Sequence, residues 1–81
     1  MSKHPMKELI EHIAKSLANS PDEVKVELEE DEEGHVTIKL EVAEDDKGKI
    51  IGRQGRVAQA MRVLLRVRAV KEDVRANLEI V

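Results

Sequence analysis

A chain of 81 residues has room for one domain with a modest core, and without Phe, Tyr, Trp or Cys that core must come from Val, Ile, Leu, Ala and Met. The same gaps exclude disulfides, thiolate metal sites and the stacking of bases on aromatic rings. A net charge of −3 argues against nucleic acid until its distribution is seen: residues 22–46 carry twelve acidic and two basic side chains, and residues 47–75 carry nine basic and two acidic.

Pro5 suits the first position of a helix, and Met6, Leu9, Ile10, Ile13 and Leu17 recur at helical spacing. An amphipathic helix is predicted over about residues 5–18. His12 falls at the edge of that stripe with no partner for acid–base work implied by spacing, and reads as a surface or packing residue. Asn19-Ser20-Pro21-Asp22 ends the helix. Val24, Val26 and Leu28 then alternate with charged residues, and Val36, Ile38, Leu40 and Val42 do the same. That period of two predicts a β-hairpin with one apolar face. Its acidic tip, Glu29 to Glu33, lacks the ligand spacing of an EF-hand loop and reads as a solvated turn.

After the hairpin, Asp45 or Asp46 is expected to cap a short helix whose inner side is Ile50 and Ile51. Gly52 stops it. A long helix is predicted from about Arg56 to Val70, with Val57, Met61, Leu64 and Leu65 as its core stripe and Gln59, Arg62 and Arg66 on the far side. Val63, Val67 and Val70 widen the apolar arc beyond what one sheet covers, so part of it is expected to face a partner. Lys71-Glu72-Asp73 turns the chain into a last strand, in which Val74, Ala76, Leu78 and Ile80 alternate with polar residues. The order α-β-β-α-α-β predicts an α+β fold: a three-stranded mixed sheet with helices packed on one face.

Between the last two helices the chain reads G-K-I-I-G-R-Q-G-R, Gly48 to Arg56. Two glycines three residues apart are a common helix-ending turn by themselves. Here a strand delivers a short helix, then the turn, then a long helix. Glycines permit positive φ and close approach by another backbone. The start of the following helix is expected to offer unpaired N–H groups, with Arg53 and Arg56 adding charge. That combination suits a phosphodiester.

From M-K-E-L-I-E-H-I-A-K through D-K-G-K-I-I-G-R-Q-G-R to V-R-A-N-L-E-I-V, the chain resembles KH domains of the second type, in which a helix and a strand precede the core β-α-α-β. It is most similar to the small single-KH RNA-binding proteins of bacteria (KhpA-like). The resemblance implies one KH domain over residues 1–81 that clamps single-stranded RNA, with single-stranded DNA as a second candidate strand, through a GXXG loop. Little sequence specificity is implied, with a role as an RNA chaperone or post-transcriptional regulator. The binding residues it implies are Gly52, Arg53, Gln54 and Gly55 as the clamp, with Ile50, Ile51 and Val42 as an apolar floor under the bases; the charges of Lys49 and Arg56 beside the turn add two expected phosphate contacts. It further implies a homodimer, or a heterodimer with a larger KH-containing protein. No Ser/His/Asp or Cys/His arrangement, GxxxxGK[ST] loop or paired His is present. No enzyme activity, cofactor or metal is therefore expected, and without a membrane-length apolar run the expected location is the cytoplasm. The rival reading is a structural or dimerisation module acting through the long apolar helix.

Overall fold

The computed structural model describes residues 5–81, so residues 1–4 of the expected domain lie outside the described residues. Helix α1, Pro5–Leu17, buries Met6, Ile10 and Ala14, with Ile13 and Leu17 half-buried at its flanks. Strands β1, Lys25–Glu30, and β2, His35–Glu41, form the antiparallel hairpin. Strand β3, Arg75–Ile80, pairs parallel to β2 on its other side, which makes β2 central. A parallel neighbour needs a crossover. Helices α2, Lys47–Ile51, and α3, Arg56–Lys71, supply it.

Register carries the alternation of the sequence into rows across the sheet. Val26 pairs with Leu40 and Leu40 with Ile80; Leu28 pairs with Ile38 and Ile38 with Leu78. A slip of one residue would turn every one of these side chains to water, so the buried face holds the register.

Two expectations are corrected. Leu64 is 48% exposed, and the seam of α3 is Ala58, Met61, Leu65 and Ala69. Adjacent helical residues point about 100° apart, so Leu64 and Leu65 cannot both face one narrow seam. Alanines at 58 and 69 lie on the buried side, where small side chains let α3 approach the elements it packs against, β3, α1 and α2. Asp46 directly precedes α2, but its side chain makes no capping bond. Its two oxygens instead accept the backbone N–H groups of Asn19 and Ser20. A single turn of 3-10 helix, Glu44–Asp46, leads into α2 in place of a side-chain cap.

Candidate nucleic-acid interface

Helix α2 ends where the Gly52 N–H donates to the Gly48 carbonyl at 2.8 Å. Gly52 has φ 82° and ψ 169°, a conformation essentially confined to glycine. Space demands glycine as well, because a Cβ there would lie 2.5 Å from Cγ2 of Val57. Arg53–Gly55 form one turn of 3-10 helix, and Gln54 (φ 57°) and Gly55 (φ 73°) are both left-handed. Two left-handed residues in succession redirect the chain from α2 into α3.

The turn satisfies some of its own amides. The Gly55 N–H donates to the Gly52 carbonyl at 3.0 Å, and the Arg56 N–H donates to the Arg53 carbonyl. The expectation of free N–H groups at the start of α3 is corrected for these two residues: the tight turn uses them internally. Arg53, Gln54 and Arg56 present exposed side chains, with Arg56 Nη2 donating to Gln54 Oε1 at 3.3 Å. Lys49 is exposed on α2, and its Nζ donates to Asn19 Oδ1 at 3.0 Å.

Charge partners divide the cations into two groups. Lys15, Lys39, Lys47 and Arg68 each lie within 3.3 to 3.6 Å of a carboxylate. Among the described residues, Lys49, Arg53, Arg56, Arg62 and Arg66 make no such ion pair, and neither do Lys7, Lys25, Lys71 and Arg75, which lie away from the turn in sequence. Their charge is left to act on solvent or ligand, and it is screened over a Debye length of about 8 Å at physiological salt.

The expected apolar floor is largely absent from the surface. Ile50 is fully buried and Val42 nearly so, both built into the core, while Ile51 is 40% exposed. Ile50 therefore anchors α2 from below. Arg62, expected on the far side of α3, is half-buried, and its Nη2 donates to the Leu78 carbonyl at 3.4 Å on edge strand β3. A shallow depression between α3 and β3 is lined by Arg62, Arg66, Ala76, Asn77 and Leu78. The sequence reading did not bring Asn77 to this place, and neither composition nor spacing could, because it arrives through the parallel pairing of β3. Asn19 was missed for a similar reason: its one sequence signal is that of a turn residue. At the hairpin tip, exposed Asp31, Glu33 and His35 bring potential ligand atoms within 4.8 Å of one another. There Asp31 Oδ1 is already occupied by two of the turn's own backbone amides.

A family model described as KhpA/KhpB, KH domain, matches residues 7–80. The RNA-binding protein KhpA of Clostridium acetobutylicum is 49% identical over 76 residues, covering 94% of this chain and all of its own. The RNA-binding protein KhpA of Caldanaerobacter subterraneus is 46% identical over 78 residues, with the same coverages. That of Borreliella burgdorferi is 49% identical over 73 residues, covering 90% of this chain and 88% of its own. Among solved structures, Aquifex aeolicus Era bound to GDP and AlF4- superposes with a TM-score of 0.61 at 21% identity, over 98% of this chain and 31% of Era. Era in complex with MgGDPNP and a 16S ribosomal RNA segment superposes with a TM-score of 0.59 at 22% identity, over 93% of this chain and 28% of Era. At that identity the likeness concerns the fold. With a family match over residues 7–80, relatives covering most of the chain and the α-β-β-α-α-β fold in hand, the chain belongs to the KhpA/KhpB KH-domain family.

Proposed function

We propose that this protein binds single-stranded RNA by clamping its phosphate backbone at the Gly52–Gly55 turn, with little sequence specificity. The observation that carries the reading is the turn itself. Three positive-φ residues expose Arg53 and Gln54 between two helices, and Lys49, Arg53 and Arg56 are without carboxylate partners among the described residues. Phosphate contacts position a strand without reading its bases, and no Phe, Tyr or Trp is present to stack on them. The relatives' common name, RNA-binding protein, supports the same reading. Ile51 is the exposed apolar residue beside the clamp. The protein acts as a binding module, as an RNA chaperone or post-transcriptional regulator. Titration with short mixed-sequence RNA should shift the amides of residues 49–56 first. Shifts confined to other residues would remove the clamp from the site, and equal shifts with single-stranded DNA would widen the substrate class.

A second feature favours pairing. Val63, Leu64, Val67 and Val70 are all exposed along α3, away from its buried seam. A stripe of four aliphatic side chains on a small domain is suited to a second copy, related by a two-fold axis. The KH domain of a larger protein would meet the same stripe. Pairing would fix the spacing of two clamps and raise avidity for one strand.

A further inference from the structure

We infer that Asp46 and Asn19 are positioning residues for Lys49, which makes the turn after α1 part of the RNA-binding apparatus. The inference rests on the proposed RNA reading. Asp46 is the one buried charged side chain among the described residues, 1% exposed. A carboxylate out of water is tolerated when its oxygens are hydrogen-bonded. Oδ1 accepts the Asn19 N–H at 3.1 Å and Oδ2 the Ser20 N–H at 3.0 Å. The Asp46 N–H in turn donates to the Ala43 carbonyl at 2.8 Å, so the carboxylate is fixed at its own backbone.

Residue 19 is therefore held through its backbone, and its side chain is aimed. Lys49 follows Asp46 by three residues, with Asp46 closing the 3-10 turn and Lys49 on the exposed side of α2. Its ammonium donates to Asn19 Oδ1 at 3.0 Å. The chain Asp46–Asn19–Lys49 starts from a buried anchor and ends at an exposed cation three residues before Gly52.

The chemistry of the middle member separates orientation from neutralisation. Lys47, two residues earlier, lies 3.4 Å from the Glu44 carboxylate. Asn19 is neutral, so it orients the Lys49 ammonium and leaves its full charge for a phosphate. A free lysine must surrender the freedom of a four-carbon stem when it binds, and a held one has surrendered part of it already. A purely structural link between α1 and α2 would account for Asp46. It would hold the Asn19–Lys49 bond as well, so the two roles differ in whether Asn19 acts on RNA affinity through Lys49.

The test is a double-mutant cycle read by binding of short, fluorescently labelled, mixed-sequence single-stranded RNA over a range of salt. Lys49→Ala should weaken binding and lower the slope of log affinity against log salt by about 0.7, the value of one phosphate neutralised on a single strand. Asn19→Ala and Asp46→Asn should each weaken binding about two- to tenfold, the factor for ordering one rotamer-rich side chain. Neither should have a measurable effect in the Lys49→Ala background. Asn19 is exposed, so Asn19→Ala carries the test if Asp46→Asn does not fold. Equal losses in both Lys49 backgrounds would overturn the inference and leave the RNA clamp standing. An unchanged affinity and slope for Lys49→Ala would overturn the inference and remove Lys49 from the site, while a slope lowered by Arg53→Ala and Arg56→Ala would still support the clamp there.

Discussion

Val57 occupies the space that a side chain at Gly52 would need: a Cβ on Gly52 would lie 2.5 Å from Val57 Cγ2 and 2.8 Å from the Val57 backbone nitrogen. The first residue of the proposed clamp is thus glycine because of a neighbour five residues on, inside α3. Gly55 differs. It is left-handed, but nothing lies within 4 Å of the Cβ it lacks.

That difference decides how the clamp is to be tested. Gly52→Ala should destabilise the fold by about 2 kcal/mol or more, from strain and overlap together. Gly55→Ala should cost about 1 kcal/mol, the left-handed penalty alone. Placing aspartate at both glycines, the first test the motif suggests, would confound folding with binding. Arg53→Asp with Gln54→Asp is cleaner: both side chains are exposed, and Asp tolerates the left-handed conformation of residue 54. We expect an unchanged thermal transition by circular dichroism and RNA affinity lowered about tenfold or more through like-charge juxtaposition. Parent-like affinity in that folded variant would rule out the loop.

Replacing Arg53 or Arg56 by Ala should flatten the salt dependence of RNA binding by about 0.7 in log–log slope for each phosphate left without its cation. Arg62→Ala and Arg66→Ala test the depression beside β3 in the same way. If the slope survives at residues 49, 53 and 56 but drops at 62 and 66, the phosphate path runs along α3.

Pairing through α3 predicts a concentration-dependent mass. Burying each exposed aliphatic side chain of the stripe contributes on the order of 1.5 kcal/mol or more, and a two-fold axis doubles the set. Against an association cost of several kcal/mol, a dimer should form at tens of micromolar, roughly the range of 6 kcal/mol. Val67→Glu should return the protein to a monomer in sedimentation equilibrium. A parent that sediments as a monomer at that concentration refutes the pairing.

The two adjacent leucines of α3 should behave oppositely. Leu65→Ala, at a buried position, should cost about 2–5 kcal/mol in denaturant unfolding. Leu64→Ala, at a half-exposed one, should stay within about 0.5 kcal/mol when measured at concentrations too low for pairing. Comparable losses would place Leu64 in the core.

Asp31 offers a pH test at the far end of the molecule. Its carboxyl is held below its ordinary value of 3.8, chiefly because Oδ1 accepts the His35 N–H; desolvation works the other way, and the Glu33 N–H and the His35 imidazole lower it further. A depressed folded-state pKa stabilises the fold above the unfolded value, and that contribution is lost as pH falls through the folded one. An NMR titration should therefore find the Asp31 midpoint below 3.8, and Asp31→Asn should reduce the loss of hairpin-tip stability in that acid window. A midpoint at or above 3.8 would contradict the turn geometry.

The sequence by itself determined the element order, the inward rows of the sheet and the position of the glycine turn proposed as the clamp. Each of these rests on local rules: period two in Val36, Ile38 and Leu40, period 3.6 in Met6, Ile10 and Ile13, and glycine where φ turns positive at 52 and 55. The packing partner of each face was decided by tertiary structure. Leu64 and Leu65 are equally apolar, and the rotation of α3 against α1 and β3 is what buries one and exposes the other. Ile50 reads as a candidate base contact until the core claims it. Asp46 reads as a helix cap until folding brings it the amides of Asn19 and Ser20, twenty-six and more residues away. Hydrogen bonds and burial across that sequence distance leave no periodic trace in the chain, because they depend on how the elements dock rather than on what each element is.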